Sequence, residues 1–220
     1  MKPLHVASTL SIAFVLVACA TPSTDQPGQA APAPISSMNF KVGNTCDIEY
    51  RYGPRKVVRT LTVAEMSNGK VRLTAKGNDG STGEILLEED GTRAVRGFAG
   101  SDGRPIEFSP PIEWIKFPLS PGTTWEGDTT ITGQTFKENM KHRRKAIGWE
   151  KVRVPAGEFN ALKVVSTESF SGTDAKGKPY SGAATFTYWV SPQAPCLVKV
   201  ESRNASGPQH SEQLMSFKEM

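Results

Sequence analysis

Apolar and polar residues alternate with a two-residue period through most of the chain beyond about residue 45, the pattern of half-buried strands. Cys46-Asp47-Ile48-Glu49-Tyr50-Arg51-Tyr52 changes face at every step. Residues 56–66 are rich in valine, threonine and leucine, which suit a pleated surface. Asn68-Gly69 follows, and then Val71-Arg72-Leu73-Thr74-Ala75. Asn-Gly between two such runs predicts a tight hairpin, because both residues accept positive φ. Asn78-Asp79-Gly80, Asp90-Gly91 and Asp102-Gly103 then recur at roughly twelve-residue intervals. That spacing predicts a sandwich, a barrel or a strongly curved sheet.

The second half carries longer runs. Strands are expected over 147–154, 158–170, 180–190, 196–203 and 210–218, with turns at Pro155-Ala156-Gly157 and Lys176-Gly177-Lys178. Phe186, Tyr188 and Val190 fall on one face, and Thr185, Thr187 and Trp189 on the other. Leu162, Val164 and Ser166 likewise oppose Lys163 and Val165. Apolar residues on both faces point to a sheet covered on both sides, as in the wall of a closed barrel or a sheet wrapped around a small helix or a ligand. Residues 137–147 form the ambiguous window, since their lysines and arginines also tolerate a helix. The expected fold is all-β: an antiparallel meander making a strongly curved sheet, half-barrel or sandwich, with little helix beyond the N-terminal segment.

The N-terminus breaks this pattern. An apolar run of about fourteen residues follows Lys2 and ends in Leu16-Val17-Ala18-Cys19. It is shorter than the roughly 20 residues of a membrane-spanning helix and has the layout of a cleaved export signal. Its end resembles the lipobox of bacterial lipoprotein signal peptides. The resemblance implies that Cys19 is lipidated through its sulfur and becomes the first mature residue. Two or more acyl chains hold a protein firmly to a bilayer, at about 0.8 kcal/mol per buried CH₂. Ala20 stands where an aspartate would signal retention in the inner membrane under the enteric sorting rule, so the outer membrane is expected. Residues 20–38 contain four prolines and one charge, the composition of a tether, with a reach of roughly 24 Å. The expected organisation is a signal peptide over 1–18, a lipidated tether over 19–38 and one periplasm-facing β-domain over 39–220.

Composition narrows the function further. The 26 basic and 22 acidic residues leave a net charge of +4, too mild to argue for nucleic acid. With Cys19 lipidated, Cys46 and Cys196 remain in an oxidising compartment, which predicts a disulfide between them. It would close a loop of about 150 residues, for which the chain-entropy model gives about 4–5 kcal/mol.

One stretch carries a family resemblance. Val154-Pro155-Ala156-Gly157-Glu158-Phe159-Asn160-Ala161-Leu162-Lys163-Val164 is followed by Tyr188-Trp189-Val190-Ser191-Pro192 and, upstream, preceded by Pro118-Leu119-Ser120-Pro121-Gly122-Thr123-Thr124-Trp125. This resembles uncharacterised bacterial envelope proteins with a V-P-A-G-x-F-x-A-x-K-V strand pair and a later Y-W-x-S-P strand. The similarity spans about residues 114–203 and departs from the pattern at Gln193-Ala194-Pro195-Cys196. It implies an all-β envelope protein and supplies no catalytic residue. The motif also has a plain physical reason: Pro155 and Gly157 make a tight turn, Phe159 and Leu162 plug a core, and Trp189 covers it.

No catalytic residue, cofactor or metal is assigned. His142 and His210 are far apart, without the spacing of a zinc site, and there is no G-x-S-x-G. The basic run is the candidate binding feature. Lys141, His142, Arg143, Arg144 and Lys145, with Lys137 close by, would meet anionic lipid, polymer or an acidic envelope protein. Arg51, Arg55, Lys56 and Arg59 form a second group. The first functional expectation is a membrane-tethered lipoprotein acting as a non-enzymatic binding or structural module. The alternative is a carrier or sensor of a hydrophobic, lipid-like ligand in a half-open barrel, and an envelope enzyme comes third.

Overall fold

The computed structural model describes residues 32–88, 93–97, 106–204 and 210–220. The signal segment, Cys19, most of the tether, and the turns at Asp90-Gly91, Asp102-Gly103 and 205–208 lie outside them. The chain runs through β1 (Thr45–Tyr52), β2 (Arg55–Ser67), β3 (Lys70–Gly77), β4 (Thr82–Glu88), β5 (Arg93–Gly97) and β6 (Ile106–Glu113). It continues through β7 (Thr124–Thr132), β8 (Lys137–Val154), β9 (Gly157–Thr173), β10 (Pro179–Val190), β11 (Lys199–Asn204) and β12 (His210–Lys218). Each strand pairs with the next in sequence, and β1 pairs antiparallel with β12 to close the barrel. Closure leaves no free sheet edge.

Local chemistry sets the turns. Asn68 and Gly69 take φ of 50° and 70°, the primed-turn geometry that the dipeptide favours, and join β2 to β3. Gly157, at φ 138°, starts β9 directly after the Pro155-Ala156 turn. The ambiguous basic window is not a helix: it is the first half of β8, an 18-residue strand whose residues alternate strictly between exposed and enclosed from Asn139 to Ala146. Irregular register between Ala146 and Gly148 then bends the hairpin. Its tip reaches β12, where the Ala156 N–H donates to the Leu214 carbonyl at 3.2 Å and Phe159 lies 6.2 Å from Phe217. Phe159, Leu162 and Trp189 are all buried, as their motif requires of packing residues.

The wall has one weak seam. β6 pairs with β7 only at Glu107, Phe108 and Ser109, because Pro110 and Pro111 have no N–H to give. Side chains stitch the gap. The Thr129 hydroxyl donates to the Pro110 carbonyl at 2.6 Å, and the Trp125 indole N–H and Arg144 Nη1 both donate to the Glu113 carbonyl, at 3.0 and 2.8 Å.

The ordered body takes in more than residues 39–220. Ile35 and Leu119 exchange backbone hydrogen bonds of 2.9 and 2.8 Å, and Ile35 and Met38 are buried with Ile115, Leu119 and Trp125. A Pro- and Ser-rich stretch gives these two apolar residues no periodicity, so only their packing places them in the fold. Cys46 and Cys196 are joined by a disulfide that links β1 to the loop before β11.

The first half of β8 is polar on its outer face, where Lys137, Asn139, Lys141, Arg143 and Lys145 all project outward.

Candidate functional site

In an antiparallel sheet, directly opposed residues share a face, so the register maps the lumen. Tyr50 opposes Glu212, Glu212 opposes Val200, and Val200 opposes Tyr188. One row further along, Phe186 opposes Ser166, and Ser166 opposes Arg144. The next row holds Ala184, Glu168 and His142. The lumen therefore has two unlike walls. Ile48, Leu61, Leu73, Ile85 and Ile112 make a hydrocarbon wall from the early strands. The late strands contribute Met140, Phe186 and Val200 together with the polar Tyr188, Glu168, His210 and Glu212. Between them lies a cavity of about 370 Å³. That size falls within the ~300–1,000 Å³ typical of small-molecule sites.

The expected anion-binding run is split by strand alternation. Lys141, Arg143 and Lys145 face outward, whereas His142 and Arg144 are 5% and 1% exposed and face inward. The five residues do not form one surface. Of the outward three, Lys141 lies 3.9 Å from Asp128 and Arg143 3.3 Å from Glu126. The second basic group is dispersed too. Arg51 and Lys56 grip Glu49, Arg55 pairs with Asp79, and Arg59 stacks over the Tyr50 ring at 5.0 Å. Those two cations hold the Glu49 carboxyl below its ordinary range.

Arg144 is the hub of the polar wall. Its Nη2 donates to Glu168 Oε1 at 3.0 Å, and the Ser166 hydroxyl donates to the same oxygen at 2.9 Å. Burial raises the Tyr188 phenol well above its ordinary range, and the neighbouring Glu168 adds to the effect. Burial does the same to Tyr50, with Glu212 contributing. Both hydroxyls therefore keep their protons. Glu212 Oε1 is 2.7 Å from His210 Nε2.

His142 has neither ring nitrogen hydrogen-bonded. Its ring lies over Gly127, where an added Cβ would come within 2.9 Å of Cε1. Burial, aided by Arg144 and opposed by Asp128, pushes its pKa from 6.5 down to about 4. The unfolded chain thus takes up a proton near pH 6.5 that the folded chain refuses until about pH 4. Stability falls as pH drops through that window and levels off below it. The loss is on the order of 3 kcal/mol at about 1.4 kcal/mol per pKa unit. Urea unfolding at a series of pH values should show this slope, and His142→Phe should flatten it. An unchanged slope in the variant would assign the titration to other groups.

Sequence reasoning missed the inward Arg144–Glu168 pair. A basic run reads as a solvated face, and the signal that could have found it was Met140 and Ala146, apolar residues two steps either side of His142 and Arg144 on the same strand face. Among the described residues no group of histidine, cysteine and acidic side chains is arranged to hold a metal ion.

No protein-family model matches the chain, and no curated protein matches it. Solved structures are similar in fold, two of them over most of the chain. A predicted lipoprotein from Parabacteroides distasonis aligns with 86% of this chain and 100% of its own, at 15% identity and a TM-score of 0.57. A predicted exported protein with a YmcC-like fold from Bacteroides fragilis aligns over 86% and 100%, at 13% identity and a TM-score of 0.56. At these identities the likeness is one of fold, and the shared fold is the all-β antiparallel barrel described above.

Proposed function

We propose that this protein is a lipid-anchored cell-envelope protein whose barrel carries or senses an apolar, lipid-like molecule. The observation that carries the reading is the half-open cavity of about 370 Å³ with a mainly aliphatic and aromatic lining. An apolar void of this size costs stability when empty, since its lining loses contacts, and an apolar guest restores them. Cys19, with its lipobox-like approach, supplies the anchor, and Ala20 favours the outer membrane. The bilayer is then both the attachment and the source of ligand. Similarity in fold to a predicted lipoprotein and a predicted exported protein is consistent with this location. The carrier reading is preferred over a purely structural module because a module that binds only through its outer surface has no use for a hollow interior.

The test uses full-length Cys19→Ser protein, which keeps the whole chain and lacks the acyl anchor. It should leave the membrane fraction and take up the apolar dye N-phenyl-1-naphthylamine with a rise in fluorescence. Leu73→Trp and Ile85→Trp each place a bulky ring in the cavity, and each should lower dye uptake about tenfold or more at a strain cost of about 1–3 kcal/mol. A dye that fails to bind, or that binds both filled variants as well as the parent, defeats the carrier reading.

A further inference from the structure

The large apolar side chains left exposed are not spread evenly over the barrel. Among the described residues they are Val42, Tyr52, Met66, Ile147 and Met220. All but Tyr52 lie at one end. β1 and β3 begin there, at Thr45 and Lys70, and β2 and β12 finish there, at Ser67 and Lys218. Val42 precedes β1, Met66 is the last but one residue of β2, and Met220 follows β12. Ile147 lies at the same end of the wall, next to the pairing of Lys145 with Thr124 at the start of β7. Tyr52 is at the far end, opposite Arg55 and His210.

Local contacts gather these residues. The Met220 N–H donates to Asn44 Oδ1 at 3.0 Å, and the Met220 side chain covers Gly43, where an added Cβ would come within 2.8 Å of its Cγ. Met220 therefore sits beside Val42. A groove of about 520 Å³ runs past them, with Phe40, Lys41, Met66, Pro192 and Glu219 in its lining. Lys41, Lys70 and Lys218 are exposed around it. Of the acids beside them, Glu65 is held by Arg72 at 3.2 Å.

The same end receives the anchor segment. Ile35 bonds to Leu119, in the loop between β6 and β7, and Pro32, Ala33 and Pro34 are exposed there. Only residues 20–32 separate Cys19 from the folded body. A chain of that length and composition reaches roughly 20 Å. An acylated Cys19 thus keeps this end close to the bilayer, at high local concentration. Apolar side chains ringed by lysine suit the boundary between headgroups and acyl chains, where buried apolar area and anionic lipid both contribute.

We propose that this end of the barrel docks onto the bilayer that holds Cys19, with Val42, Met66 and Met220 entering the headgroup boundary and Lys41 and Lys218 meeting anionic headgroups. The inference rests on the lipid anchor of the reading above and is independent of what the cavity holds.

The acylated full-length protein tests it. With Cys46 and Cys196 bonded to each other and Cys19 acylated, Met66→Cys and Tyr52→Cys each add a single free thiol for a nitrobenzoxadiazole label. The vesicles are phosphatidylethanolamine and phosphatidylglycerol carrying a doxyl-labelled lipid as quencher. The label at Met66→Cys should be blue-shifted and quenched about twofold or more beyond the label at Tyr52→Cys, as an insertion of ~5–10 Å requires. Adding Val42→Glu and Met220→Glu should bring the two labels level. Equal quenching at both ends, or quenching at Met66→Cys that survives the two glutamates, overturns docking. So does an equal blue shift in lipid-free Cys19→Ser protein, which assigns this end to a second copy of the chain. Protein that fails to float with the vesicles removes the anchor and this inference together, while dye binding still judges the cavity.

Discussion

Arg144→Ala is expected to lower the unfolding free energy by roughly 3–5 kcal/mol, the largest loss for any single substitution in this barrel. Three costs combine. Glu168, only 10% exposed at its side chain, loses its cation. The Glu113 carbonyl loses one of the two side-chain donors that bridge the Pro110-Pro111 gap. The fully buried arginine stem leaves a void beside Trp125, which opposes it across β7 and β8. The charge term can be separated from the others. Arg144→Met with Glu168→Leu removes both ions and keeps much of the volume, so it should be milder than Arg144→Ala alone, because an unpaired buried charge costs more than a missing pair. Urea unfolding of wild type, the two single variants and the double variant gives the coupling energy. Near-additive losses would show that Arg144 matters as a seam donor and filler rather than as the partner of Glu168.

Removing the Cys46–Cys196 disulfide should be nearly as severe. The cross-link spans 150 residues of sequence, and constraining so long a loop in the unfolded chain is worth about 4–5 kcal/mol in the chain-entropy model, with about 2–5 kcal/mol typical of native bonds. Its position adds to the effect. Cys46 lies in β1 opposite Phe217 of β12, at the pairing that closes the barrel, and Cys196 borders the cavity. A Cys46→Ala/Cys196→Ala double variant avoids a stray thiol. Its thermal unfolding should fall well below that of the oxidised wild type, and reduced wild type should match it. If oxidised and reduced protein melted together, the loop-closure argument would have no force here.

Strand identity was largely legible. β12 begins and ends where the alternation does, at His210 and Lys218, and the β2–β3 turn sits on Asn68-Gly69. These are local choices: a residue's face is set by its neighbour, and a turn by two φ angles. That Leu162, Val164 and Ser166 share one face of their strand, and Phe186 and Tyr188 one face of theirs, was legible for the same reason. β8 was less so, because lysine and arginine suit either element when nothing around them is known. Its strand character comes from pairing with β7 on one side and β9 on the other over most of its length.

The sequence by itself determined an all-β meander, the placement of most of its turns, and a cysteine pair suited to a disulfide. Only the tertiary structure decided that β1 meets β12, since that pairing joins residues such as Asp47 and Ser216, 169 apart, and no local pattern encodes it. Closure in turn decided which face is the inside. It buried His142 and Arg144 rather than leaving them on a basic surface, drew Ile35 and Met38 onto the folded body, and shaped the cavity between the strands. A side chain's exposure depends on what the far end of the chain brings to face it, and that is settled when the sheet closes.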